Sequence, residues 1–271
     1  MVKKQAEVVR GFELDWLACE QGPEEVMRSN SDFMVITAKG DLEQLNKWVP
    51  APLAATGDVI IDLVYLNETV HDGVKTWEYP FYDFNIGIVA KLTEPPYTEG
   101  VFLVQSYVDD DFSLVFGREV WGYPKKMGDF EVSPHPKEES SRYEYSVSRR
   151  GTELVSVTLD GLETIPAQEF PGHGVGYTIC FRQVPSPDAV AIEKQQLVFV
   201  KVETDATEAK KGIGTVAIKD GPFDQLGIGP LADVTAYFAR GAVRHHGINN
   251  LVVEAKELAR PLDVSRAGVP A

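Results

Sequence analysis

The chain has 271 residues, 44% of them apolar, which is enough to bury one large core. Its 41 acidic residues against 26 basic ones give a formal charge of −15. That charge repels phosphate backbones and anionic membrane surfaces, so neither nucleic acid nor membrane is an expected partner, and an anionic substrate would need a local cationic site.

Residues 1–30 are polar and mixed and read as a leader that packs on the domain, with a short helix over Pro23–Arg28. The opening segment carries Lys3 and Lys4 but not the following ~7–15 apolar residues of a secretory signal. No stretch approaches the ~18 apolar residues of a membrane span, so a cytoplasmic protein is expected. Phe33–Ala38 reads as strand, and the spacing of Leu42, Leu45 and Val49 predicts a helix over Asp41–Val49, ended by Pro50 and Pro52. Strands are predicted at Val59–Tyr65, Phe81–Leu92, Val101–Val108, Tyr143–Arg149, Glu153–Leu159, Gly176–Val184 and Gln196–Glu203, each rich in Val, Ile, Phe or Tyr and bounded by turn residues. Arg149-Arg150-Gly151-Thr152 reads as a hairpin turn. Residues 208–230 are rich in glycine, Gly241–Glu254 is the last alternating apolar stretch, and 259–271 reads as a flexible tail. With no repeat and no low-complexity linker, a single domain over 31–258 is predicted, α+β but mainly antiparallel β, with few helices.

Several features carry little chemistry. Cys19 and Cys180 lack the spacing of a zinc or redox motif and read as buried thiols. Adjacent His245 and His246 would point to opposite faces of a strand, with no carboxylate or cysteine at ligand spacing, so no metal is expected. The run Asp109-Asp110-Asp111 reads as a solvated loop. The loop Pro171-Gly172-His173-Gly174-Val175-Gly176 reads as a tight connection. No glycine pattern suits a phosphate, so no cofactor is expected.

The informative segment is Gly117-Arg118-Glu119-Val120-Trp121-Gly122-Tyr123-Pro124-Lys125-Lys126. An amine attacks a ketone only when neutral, and an unperturbed lysine with a pKa near ~10.4 leaves roughly one molecule in a few thousand competent at pH 7. A dry pocket and a second cation both disfavour the ammonium. Val115, Phe116, Val120, Trp121 and Tyr123 offer the first around Lys125, and Lys126 and Arg118 the second. Pro124 would hold the pair on a defined turn. The protonated imine that such a lysine forms is an electron sink, which opens carbon–carbon cleavage without metal or vitamin. The bland alternative is a solvated lysine pair in a surface turn.

Gly-Arg-Glu, then three residues and an aromatic before Pro-Lys-Lys, resembles the active-site motif of the acetoacetate decarboxylase family. Weaker likeness extends over roughly residues 30–255, including Trp48-Val49-Pro50-Ala51-Pro52-Leu53 and Pro230-Leu231-Ala232-Asp233-Val234. The resemblance implies a cone-like β-barrel with a few outer helices in a homo-oligomer, and a small-molecule keto acid substrate. Lys125 would form the Schiff base and Lys126 would lower its pKa; this family is also the standard example of a lysine activated in that way. The family's two pocket glutamates fall on Asp62 and Asp83, each a methylene shorter, and its arginine falls on Ser31, with Arg28 three residues away. The implied activity is cofactor-independent β-keto acid decarboxylation through an imine on Lys125. Relatives acting as aldolase-dehydratases on pyruvate and an aldehyde give an alternative, with Tyr82, Asp83 or Glu119 as the acid–base group. Asp62, Tyr82, Arg118, Glu119 and Trp121 are the expected substrate-binding residues, with Lys125, Lys126 and Asp83 catalytic; Arg118 and Glu119 could instead form an ion pair under the lysine turn. A non-catalytic binding protein on the same fold is the rival from another class.

Overall fold

The computed structural model describes residues 27–71, 75–77, 80–187, 192–246 and 251–254. In chain order it contains β1 (Met27–Gly40), α1 (Leu42–Asn46), β2 (Leu53–His71), β3 (Lys75–Trp77), β4 (Phe81–Leu92), β5 (Glu99–Val108) and α2 (Asp111–Phe116), which continues into a π-helical turn, Gly117–Trp121. There follow β6 (Lys125–Met127), β7 (Asp129–Ser133), β8 (Tyr143–Arg149), β9 (Thr152–Ile165), a 3-10 turn (Ala167–Glu169), β10 (Gly174–Pro185), β11 (Ile192–Ile218), β12 (Leu231–His245) and β13 (Leu251–Glu254). The strands form one sheet in the order β10-β5-β4-β2-β1-β12-β11-β9-β8-β7. All pairings are antiparallel except β10 with β5 and β5 with β6. Because β10 also pairs with β11, the pairings from β10 through β5, β4, β2, β1, β12 and β11 return to their starting strand.

Side-chain alternation sorts the strands between two cores. Met34 and Ile36 of β1, Val59, Ile61 and Leu63 of β2, and Phe84, Ile86 and Ile88 of β4 enter the larger core. The intervening Phe33, Val35, Val64 and Phe81 enter a second cluster with Phe170, Ala239 and Val243. Both faces of the central strands are therefore apolar, and β4 and β8 have the bounds predicted for them. The β8–β9 connection is the predicted two-residue hairpin, with Arg150 at φ 53 and Gly151 at φ 75, the left-handed pair that matches the twist of the flanking strands.

The helix predicted over Asp41–Val49 is shorter, Leu42–Asn46, capped by Asp41, whose side chain accepts from Gln44 N at 2.9 Å. Of the helix expected over Pro23–Arg28, all but Met27 and Arg28 lies outside the described residues, and those two are extended in β1. Cys19 and the tail 259–271 also lie outside them. The strand predicted at Gln196–Glu203 extends to Ile192–Ile218, and the stretch predicted at Gly241–Glu254 spans the end of β12 and β13. β11 serves β10 with its first half, β9 with its second and β12 across its middle, with register shifts at Ala206/Glu208 and Lys211/Ile213, bulges that bend one long strand between partners. Among the described residues no helix is long and apolar enough to cross a membrane.

Candidate active site

The lysine segment is built by local rules. Asp110 caps α2 by accepting from Ser113 N at 2.8 Å, so the acidic run performs a structural task at its middle residue. The helix then widens into the π-turn, a form frequent at functional sites. Gly122 ends it at φ 82, and a Cβ there would stand 2.6 Å from the Arg182 Cα, so both conformation and space require glycine. Tyr123 N donates to Gly117 O at 3.0 Å, and Gln105 Nε2 donates to the Pro124 carbonyl at 2.9 Å. β6 is thereby laid parallel to β5 with Lys125 opposite Ser106. Gly117 leaves room for the lysine stem, since a Cβ there would meet Lys125 Cδ at 2.9 Å and Cε at 3.0 Å.

Lys125 is 7% exposed. Its Nζ donates to Asp83 Oδ2 at 2.6 Å and to Ser113 Oγ at 2.8 Å, and lies 5.2 Å from the centre of the Tyr123 ring. Asp83 also accepts a long bond from Ser106 Oγ at 3.4 Å. One strand away, Asp62 sits opposite Asn85, whose Nδ2 donates to it at 3.5 Å. Burial, and secondarily the Asp83 charge, push the Asp62 carboxyl up from 3.8 to about 7. Asp62 lines a cavity in the sheet. One carboxylate, Asp83, thus holds the amine, and a second, Asp62, lines the same cavity and is shifted toward neutrality, the tuning that acid–base work requires.

These groups line a cavity of about 550 Å³. Val35, Val64, Leu103, Phe112, Phe116 and Phe170 are among its apolar walls. Trp121 is buried there, 4.6 Å from Phe116 and stacked on His245 at 5.2 Å with an 18° interplanar angle. Burial, then the positive charge of Lys125 and of His246, push the His245 imidazole down to about 3, so it is neutral at physiological pH.

Of the expected site residues, Lys125, Asp83, Asp62 and Trp121 come together around this cavity. Lys126 does not join them. As the next residue of β6 it faces the other way, donating to Asp224 Oδ1 at 2.6 Å, where Arg149 and Tyr107 also converge. The expectation that its charge crowds Lys125 is therefore replaced by a structural ion pair. Tyr82, adjacent to Asp83 on β4, likewise points away and packs on Tyr65 and Phe130; burial, then Tyr65, pushes its phenol up to about 12. Arg118 and Glu119 are exposed on the π-turn, outside the cavity and without an ion pair between them. Ser31 is 3% exposed, its hydroxyl has no hydrogen-bond partner, and Arg28 is exposed, so neither brings a cation to the cavity.

Sequence reasoning missed Ser113, Asn85, His245 and the Phe170–Gly172 loop, all of which line the cavity. Strand alternation from Val243 could have placed His245 on the pocket face. Nothing in the sequence signalled that Phe170, Pro171 and Gly172 line the cavity. Cys180 is buried in the cluster with Phe116, Trp121 and Tyr123, as expected, and burial pushes its thiol up.

The site is thus a buried lysine held by a carboxylate in a largely apolar pocket of a β-rich fold. The chain belongs to the acetoacetate decarboxylase family: the family's profile, Acetoacetate decarboxylase (ADC), matches residues 18–254. A curated relative, an acetoacetate decarboxylase of Acidiphilium cryptum (strain JF-5), is 28% identical over 99 residues, and the match spans 36% of this chain and 37% of that relative's length. The acetoacetate decarboxylase of Legionella pneumophila has a similar structure, with a TM-score of 0.71 at 14% identity over 92% of this chain and 98% of that one. So has the enduracididine biosynthesis enzyme MppR, solved with the condensation product of pyruvate and imidazole 4-carboxaldehyde: TM-score 0.67, 14% identity, 89% of this chain and 93% of that one. At these identities the structural matches establish the fold. Family membership supports an enzyme of the decarboxylase or related lyase kind.

Proposed function

We propose that this protein is a cofactor-independent lyase in which Lys125 forms an imine with the carbonyl carbon of a small-molecule substrate. The observation that carries the reading is the Lys125 ammonium, buried at the cavity wall and bonded to Asp83 at 2.6 Å. Proton transfer from Nζ to Asp83 frees the amine. The amine then adds to the substrate carbon, the carbonyl oxygen leaves as water, and the resulting iminium keeps one positive charge beside the Asp83 carboxylate. Ser113, at 2.8 Å from Nζ, aims the nitrogen during attack.

The same iminium serves two reactions. In decarboxylation of a β-keto acid, the reaction in the family's name, the Cα–carboxylate bond breaks, CO2 leaves, and the electron pair of that bond passes into the iminium to give a neutral enamine that then takes up a proton at carbon. In aldol chemistry Asp62 takes the proton of a β-hydroxyl as the Cα–Cβ bond breaks, leaving an aldehyde and an enamine, or returns it in the condensing direction. The aldol reading is supported by Asp62, whose carboxyl is pushed up to about 7 by burial and by Asp83, a range suited to taking and returning a proton near neutrality. The cone-like barrel, favoured by the returning strand circuit, belongs to the same proposal. So do the homo-oligomer, the cytoplasmic location, and a leader and tail outside the main domain.

The test is borohydride reduction in the presence of acetoacetate or pyruvate, followed by intact-protein mass measurement on wild type and Lys125→Ala. A reduced adduct present only in wild type is expected, and its mass distinguishes a retained acetone unit from a retained pyruvate unit. Reversible binding with no adduct from any ketone would instead indicate a non-catalytic binding protein.

A further inference from the structure

The cavity is larger and more acidic than a small keto acid needs. Liquid water occupies about 30 Å³ per molecule, so about 550 Å³ holds roughly eighteen heavy atoms, against about seven in acetoacetate. Among the described residues lining it, Lys125 is the one lysine or arginine, whereas Asp62, Asp83, Asp110 and Asp111 all line it. The lysine charge is taken up by Asp83 at 2.6 Å and stays beside Asp83 once the iminium forms. A carboxylate on the substrate would thus enter an acidic cavity without a cation of its own, at a cost that burial magnifies. The walls beyond the amine are flat and aromatic: the stacked Trp121 and His245, the parallel Phe112 and Phe116 at 6.1 Å, and Phe33 against Phe170 at 5.8 Å.

We propose that the pocket takes an uncharged ketone carrying an apolar, aryl-sized tail, with the carbonyl at Lys125 and the tail between these rings, in place of a small anionic keto acid. The proposal rests on the imine reading above. In the covalent step the Lys125 nitrogen bonds to the ketone carbon and the ketone oxygen departs as water. Borohydride then gives hydride to the iminium carbon and fixes the link as a secondary amine.

The experiment compares four ketones on the full chain: benzylacetone, the same molecule with a carboxylate in the para position of its ring, acetone, and acetoacetate. For each, the concentration giving half-maximal trapped protein is read by intact mass. Benzylacetone is expected to reach that point at a concentration roughly ten- to a hundredfold below acetone, the gain from burying one ring. It is also expected to lie below both carboxylates. If the ring carboxylate or acetoacetate is trapped at a lower concentration than benzylacetone, the substrate class is wrong while the imine lysine stands. Adducts with none of the four would remove the imine reading and this proposal together.

Discussion

Asp62→Asn separates the electrostatics of the pocket from its shape. The carboxyl is raised from 3.8 to about 7 by burial and by Asp83, so the folded protein holds a proton there that the unfolded chain has already released. For a group raised on folding, stability is fully present below the unfolded pKa and is lost as pH rises through the folded one. At about 1.36 kcal/mol per unit the whole effect has a ceiling of about 4 kcal/mol, of which about 2.5 kcal/mol falls between pH 5 and pH 8. Screening by solvent entering the cavity lowers that interval to about 1–2.5 kcal/mol. Asparagine keeps the volume and can still pair with Asn85, but cannot ionise. Urea unfolding followed at both pH values is the assay. The wild type should lose midpoint relative to Asp62→Asn on going from pH 5 to pH 8, by about 0.5–1 M urea. Parallel pH dependence in the two proteins would refute the claim that folding raises this carboxyl.

Other substitutions bear on separate parts of the account. Gly117→Ala should fold, yet its Cβ would press on Lys125 Cδ and Cε and displace Nζ from Asp83; imine trapping should slow by about tenfold to a hundredfold, read from adduct growth with time. Asp224→Ala should cost about 3–5 kcal/mol in urea unfolding, because it strands Lys126 and Arg149 and the Tyr107 hydroxyl. Burial raises the Asp224 carboxyl, but bonds from Lys126, Arg149 and Tyr107 outweigh it and hold it below its usual value. Its contribution is therefore present above the unfolded pKa of an aspartate and lost as pH falls through the lower folded value, an acid-side loss that Asp224→Ala should not show. A pH–rate profile should show a limb near 7 from Asp62, and His245→Gln should leave that limb in place, since the imidazole is already neutral above about 3; its disappearance would move the titration from Asp62 to His245.

Much of the sheet was legible because its strands are β-branched and aromatic and bounded by turn residues, as in β4 and β8. The second half of β11 was not, because its glycines answer to distant neighbours. A Cβ at Gly212 would stand 2.3 Å from the Asp160 carbonyl oxygen of β9, so a strand residue there reads locally as a loop residue. At the site, Lys125 was legible from a ten-residue motif, and Asp62 and Asp83 from the family resemblance that sets them at the places of two pocket glutamates. The direction of Lys126 was not, since Pro124 obscures the start of β6 and only the pairing with β5 fixes which lysine faces the cavity. Tyr82 was misplaced by the same one-residue ambiguity on β4. Ser113 reaches the amine only through the packing of α2 against β6, whereas His245 shares its strand face with Val243 and was open to an alternation argument.

The most direct test of the central claim is to locate the adduct. After borohydride trapping with a ketone, proteolysis and peptide sequencing by mass should place the added mass on Lys125, and Lys126→Ala should still carry it, because Lys126 is engaged by Asp224. An adduct on Lys126, or one that survives Lys125→Ala on another lysine, would contradict the assignment of the nucleophile.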